Sequence, residues 1–307
     1  MLPRLAIATA ILIAAAPVAA ACDGRLIEAA DVVGSPICVP ENPRRIVVLD
    51  PTYSLGMSLE LGLPVVGAPL FGMSDEDLLA KAEAQSVTDL GALTEPSLES
   101  IIALKPDLIL GSGFVGTGIQ EMLSTIAPTV LITDQNWKDF YRRLAAVTGR
   151  EARAREALAT YETRVAEIRA KVPDVPVSVI RITGWDFQVY LDAPDAYGPF
   201  LVMREAGVKR TDYETADAGG PRLKRPDLED LAALSGDILL YIVGGSNDSD
   251  TSGRHEEVLA NPLWQMLPAV EAGNVHRVDP ATWMEFSGVT SAHRVLDDIE
   301  RLIVPGP

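Results

Sequence analysis

The sequence predicts an α/β fold in two halves, and three observations carry that prediction. Short apolar runs alternate with helical stretches, the alternation is interrupted once by a long helical stretch, and one helix–strand unit occurs twice. Buried runs separated by helical patterns indicate parallel strands with crossover helices.

Taken in order, an N-terminal segment with the pattern of a small hairpin precedes the runs RIVVLD (45–50), PVVGA (64–68), DLILG (107–111) and TVLIT (129–133). The rhythm resumes at VSVIRIT (177–183), DILLYIV (237–243) and NVHRVD (274–279). Between the halves, 150–172 is the longest helical stretch, with Ala154, Leu158, Tyr161, Val165, Ile168 and Val172 spaced four and three apart. Gly149 precedes it and Pro173 ends it. At 1.5 Å per residue it would reach ~35 Å, enough for a strut between lobes, although periodicity alone fits a surface helix of one domain equally well. The repeat decides for two lobes. LESIIALKPDLIL (98–110) and LEDLAALSGDILL (228–240) share Leu, Glu, Ala, Leu, Asp and Leu at the same offsets, which puts Glu99 and Glu229 at equivalent places.

Composition excludes several classes. Of 307 residues, 48% are hydrophobic and 22% charged, which is a globular profile, and a net charge of −17 argues against nucleic acid as a partner. Residues 1–21 combine Arg4, an apolar run and small residues before Cys22, the pattern of a secretory signal peptide; the apolar run is too short to span a bilayer comfortably. Export favours a disulfide between Cys22 and Cys38, the only two cysteines. A lipid on Cys22 is the competing reading, weakened by the lack of a large aliphatic residue three positions earlier.

Some motifs point elsewhere. GSGFVG (111–116), with Asp134 at the end of the next run, fits a dinucleotide fingerprint, but it does not open the first βαβ unit; a Gly-rich strand-end loop is the simpler reading. NDSDTSGRHEEVL (247–259) has calcium-loop spacing up to Gly253, yet Leu259 stands where a bidentate Glu is needed. His255, His276 and His293 all lie in the second half, without CxxC or HExxH spacing, so no metal site is expected, and no GxSxG elbow supports a hydrolase.

The stronger signal is in the predicted strand-end loops, where open α/β sheets bind ligands. They contain Tyr53, Phe114 and Trp137 in the first half. In the second they contain Arg181, Trp185, Tyr190, Tyr197, Arg222, Lys224, Arg225 and Trp283. Aromatic rings beside cations suit a planar or aromatic anionic ligand.

VPENPRRIVVLD, LGLPVVGA, SLESIIALKPDLILG, the 150–172 helix and NPLWQMLPAVEAGNVHRVD together make the chain resemble the periplasmic substrate-binding proteins of iron-siderophore, haem and cobalamin ABC importers. The resemblance implies class III architecture: an N-terminal lobe (22–148), a linking helix (149–173) and a C-terminal lobe (174–307), both lobes Rossmann-like, with little closure on binding. It implies a monomeric, non-enzymatic periplasmic receptor without a cofactor of its own, which holds a ferric chelate between its lobes. Its partner is an inner-membrane permease with its ATPase, contacted through Glu99 and Glu229. A ferric siderophore is the preferred ligand. Phe114 stands where catecholate receptors often carry arginine, which leaves the charge to Arg181, Arg222 and Arg225. Haem, ligated by Tyr53 or Tyr197, and cobalamin are the alternatives. From another class, the rival is a secreted α/β enzyme, which would show a Ser or Asp bonded to a His in a deep pocket.

Overall fold

The computed structural model describes residues 22–93, 95–113, 117–134, 136–244 and 252–305. The expected signal (1–21), Phe114 and most of the calcium-like loop lie outside these residues.

The chain starts with an antiparallel ribbon of β1 (Arg25–Ile27) and β2 (Ile37–Val39), tied at its base by the Cys22–Cys38 disulfide. Next come β3 (Ile46–Val48), α1 (Tyr53–Glu60), β4 (Val65–Ala68), α2 (Glu76–Ala84), β5 (Thr88–Asp89), the small hairpin β6 (Gly91–Ala92) and β7 (Glu95–Pro96), α3 (Leu98–Leu104), β8 (Leu108–Ser112), α4 (Thr117–Leu123), β9 (Thr129–Ile132) and α5 (Trp137–Thr148). The first lobe's sheet has the order β5-β4-β3-β8-β9, with every pairing parallel. Strands β3, β8 and β9 are wholly buried runs, as in a sheet covered by helices on both faces. The order reverses between β3 and β8, and such switch points open a crevice at the carboxyl ends of the strands.

Helix α6 (Glu151–Arg169) is the longest of the described helices. Gly149 ends α5 in a left-handed conformation (φ 69°), which lets α6 follow almost at once. It buries Ala154, Leu158, Tyr161 and Ile168, four of the six residues of the sequence stripe.

The second lobe contains β10 (Pro176–Ile182), β11 (Phe187–Tyr190), α7 (Gly198–Glu205), β12 (Lys209–Arg210), a 3-10 turn (Asp212–Glu214), β13 (Leu223–Lys224), a second 3-10 turn (Leu228–Ala233), β14 (Ile238–Val243), α8 (Arg254–Leu259), α9 (Pro262–Gln265), α10 (Pro268–Glu271), β15 (Val275–Val278), α11 (Pro280–Met284) and α12 (Val289–Leu302). Its sheet runs β13-β11-β10-β14-β15, with β12 also on β10. Pairings of β10 with β12 and β14, and of β14 with β15, are parallel; β11 and β13 join antiparallel. The repeat maps onto equivalent positions, because β8 and β14 each lie parallel beside the first strand of their sheet. The unit before β14 is 3-10 where that before β8 is α-helical.

One apolar core crosses from lobe to lobe, joining Val48, Tyr53, Trp137, Phe140 and Tyr161 to Phe200, Trp283, Phe286 and Leu296. Polar contacts reinforce the seam. The carboxylate of Glu60 accepts the N–H groups of Val289 (3.1 Å) and Thr290 (2.7 Å) at the start of α12, where the helix dipole favours negative charge. Arg294 on α12 forms a two-pronged ion pair with Asp75. Tyr161 donates to Glu205 (2.7 Å), tying α6 to α7.

Candidate functional site

The carboxyl ends of β3, β8 and β9 form one wall of a cleft between the lobes. Ser112 ends β8 and Gly113 follows it, Thr133 and Asp134 follow β9, and Asp50 and Tyr53 follow β3. A cavity of about 220 Å³ is lined by Asp50, Thr52, Tyr53 and Ser112 from this side and by Tyr190, Asp195, Tyr197, Arg222 and Leu223 from the other. An adjoining space of about 180 Å³ shares Tyr53 and Ser112 and reaches Thr133, Asp134 and Phe140. The second lobe thus contributes its antiparallel edge, β11 and β13, together with the segment leading into α7.

Asp50 anchors the floor. It is buried and accepts the backbone N–H of Ser54 (2.9 Å), the Ser54 hydroxyl and the backbone N–H of Ser112 (3.1 Å). Burial pushes its carboxyl above the usual 3.8, and the bonds from Ser54 and Ser112 offset only part of that shift. The aromatic wall is built by stacking. Tyr190 lies flat on Phe200 at 4.9 Å and near Tyr197 at 5.8 Å.

Four of the ten ligand residues expected from sequence line the cavity: Tyr53, Tyr190, Tyr197 and Arg222. Arg222 forms an ion pair with Asp195 and donates to the carbonyl oxygen of Gly220 (2.7 Å). The other described residues expected there sit elsewhere, each for a physical reason. Trp137 is fully buried, edge-on to Tyr161 (5.1 Å) and Phe286 (5.5 Å), so it belongs to the seam. Trp283 is equally buried and donates its indole N–H to Asp298 (2.8 Å). Arg181, 5% exposed, is outside the lining and donates to the carbonyl of Gly244 (3.3 Å) and to Gln188 (3.5 Å). Trp185, 66% exposed in the turn between β10 and β11, is outside the lining. Arg225 is exposed and paired with Asp186, and Lys224 donates to the carbonyl of Tyr213. Phe114 is outside the described residues.

The two tyrosines considered for haem iron are committed to the seam. Tyr197 donates to the carbonyl of Met284 (3.0 Å) and accepts the N–H of Phe286 (3.1 Å), while Tyr53 hydrogen-bonds the backbone of Gly198. Burial pushes both phenols well up, away from the phenolate an iron ligand needs. Among the described residues, no group of three or more His, Cys, Asp or Glu is arranged to hold a metal ion.

Sequence reading missed Asp50, Thr52, Ser112, Asp195 and Leu223. Asp50 and Ser112 carried a usable signal, since each ends or directly follows an apolar run, where the switch-point rule places ligands. Asp195 carried none, because its position depends on the antiparallel edge.

The family profile described as periplasmic binding protein matches residues 46–282. The chain belongs to that family. Among curated relatives, the probable siderophore-binding lipoprotein YfiY of Bacillus subtilis (strain 168) is 30% identical over 85% of this chain and 83% of its own. The iron(3+)-hydroxamate-binding protein FhuD of the same organism is 30% identical over 79% and 76%. Among solved structures, Staphylococcus aureus SirA complexed with staphyloferrin B superposes with a TM-score of 0.75 over 86% of this chain and 94% of that one, at 23% identity. The likeness to SirA shows the fold: two α/β lobes with a long helix between them.

Proposed function

We propose that this periplasmic binding protein captures a ferric siderophore in the cleft between its lobes and delivers it to an inner-membrane ABC permease. The observation that carries the reading is the aromatic cavity at the topological switch point, lined from both lobes by Tyr53, Tyr190 and Tyr197. The names of YfiY and FhuD point to the same ligand class. In this reading the lobes are 22–148 and 174–307 with 149–173 between them, and the exported monomer works in the periplasm without catalysis or a resident cofactor.

Glu99 and Glu229 are the proposed permease contacts. Both are exposed, and each stands two residues after the capping side chain of its repeat unit, Ser97 and Asp227. Leu98 and Ile102 are exposed beside Glu99, while Leu263 and Met266 are exposed on and just after α9, which packs against the turn carrying Glu229. Two acids with apolar neighbours suit a partner offering a cation and an apolar socket twice.

The test is a titration of tryptophan fluorescence in the mature protein with ferric siderophores, ferric citrate, haem and cobalamin, with iron-free chelators as controls. Saturable quenching by a ferric siderophore at about micromolar concentration or below is expected. A flat response to every ferric siderophore overturns the assignment.

A further inference from the structure

The siderophore reading leaves open which chelate the cleft takes, and the charges along its walls bear on that question. Resting on that reading, we infer that the cleft selects ferric chelates that are neutral or singly positive, of the tris-hydroxamate kind, over the triply negative tris-catecholates. Three catecholates bring six negative charges to Fe(III), whereas three hydroxamates cancel its charge and a pendant ammonium group makes the chelate a cation.

Among the described residues, the two adjoining spaces are lined by three carboxylates, Asp50, Asp134 and Asp195, and by one cation, Arg222. Arg222 is already held by Asp195. Asp134 accepts the backbone N–H of Asn136 (2.9 Å) and has no cationic partner among the described residues, so its charge faces the cleft uncompensated. The other two arginines expected for an anionic ligand are not in the lining: Arg225 is paired with Asp186, and Arg181 is buried and bonded to Gly244. Even if Arg181 is counted and Asp50 is protonated, the charges only balance. The aromatic side is compatible with this, since the rings of Tyr53, Tyr190 and Tyr197 add apolar surface and no positive charge to the lining. A trianion entering this space meets like charge without a compensating donor, which is how a receptor excludes a ligand of the right size.

The experiment compares three ferric chelates on the mature protein at fixed salt: ferrioxamine B (a monocation), ferrichrome (neutral) and ferric enterobactin (a trianion). We expect the first two to bind at least about tenfold more tightly than the third. Asp195→Asn releases Arg222 and raises the affinity for ferric enterobactin by about tenfold, while Asp134→Asn lowers that for ferrioxamine B. Should Asp195→Asn fail to fold, Asp134→Asn, at a partly exposed position, carries the test. Tightest binding of ferric enterobactin by the wild-type protein overturns the charge inference and leaves the siderophore reading intact. Silence from all three chelates overturns the charge inference, and a flat response to every other ferric siderophore as well overturns the reading it rests on.

Discussion

Glu285 and Ser74, 211 residues apart, meet across the seam: the carboxylate accepts both the backbone N–H (2.9 Å) and the hydroxyl (2.7 Å) of Ser74. The same carboxylate also takes the N–H of Asp75 (2.8 Å), so three donors depend on one buried side chain. Replacing Glu285 with Ala strands these donors, and a loss of about 3 kcal/mol is expected, since hydrogen bonds to a charged group are the stronger kind. Urea unfolding followed by circular dichroism checks it; a shift in midpoint worth under about 1 kcal/mol would show that water replaces the carboxylate.

Gly56 should not tolerate Ala. In an ordinary helix interior that change gains about 1 kcal/mol. Here a Cβ would come within 2.3 Å of the carbonyl oxygen of Ser287, on the other side of the seam. Overpacking of this kind costs about 1–3 kcal/mol, so Gly56→Ala is expected to lower the melting temperature, whereas the helix-propensity argument alone predicts a rise.

The seam also sets a pH dependence. Burial raises the Glu60 carboxyl above its ordinary 4.5, against the opposing pull of the Thr290 and Val289 donors. The folded protein therefore keeps this proton over a range where the unfolded chain has released it. That contribution to stability is present below pH 4.5 and is lost as pH rises through the higher folded value. Asp75 behaves oppositely. Burial raises it, but Arg294 and the N–H of Leu78 prevail and hold it below 3.8, so its contribution fades as pH falls. Glu60→Gln cannot titrate and still offers an acceptor to α12. Its stability relative to wild type is expected to rise between pH 4 and pH 8, measured as urea midpoints; a constant difference would remove Glu60 from the pH response.

Glu99→Arg with Glu229→Arg is expected to reduce siderophore uptake by about tenfold or more, because like charges at a docking surface repel, while affinity for the chelate is unchanged. Transport in reconstituted vesicles and fluorescence titration separate the two effects. A parallel loss of affinity would move these residues from the docking surface to the ligand site.

The strands were legible because largely buried apolar runs such as DLILG and ILLYIV leave little choice of environment, and the repeat was legible because β8 and β14 do the same work beside β3 and β10. The cleft was only half legible. Trp137 and Trp283 were expected at the ligand since they lie near strand ends, yet a ring that stitches two lobes and a ring that stacks on a ligand require the same amphipathic side chain at the same place. Only the packing of Phe286 against Tyr53 (6.0 Å) and Trp137 separates the two roles. The arginines were legible only as charges: composition counts Arg222 and Arg225 as cations, while Asp195 and Asp186 pair with them in space.

The apolar core that runs unbroken from Val48 to Leu296 has a thermodynamic consequence. Two sheets usually invite two melting transitions, but one face of each sheet here packs into this shared core, while the opposite faces have cores of their own. Heating should give a single calorimetric peak whose area matches the van't Hoff enthalpy, and either half expressed by itself should fail to form a cooperative unit.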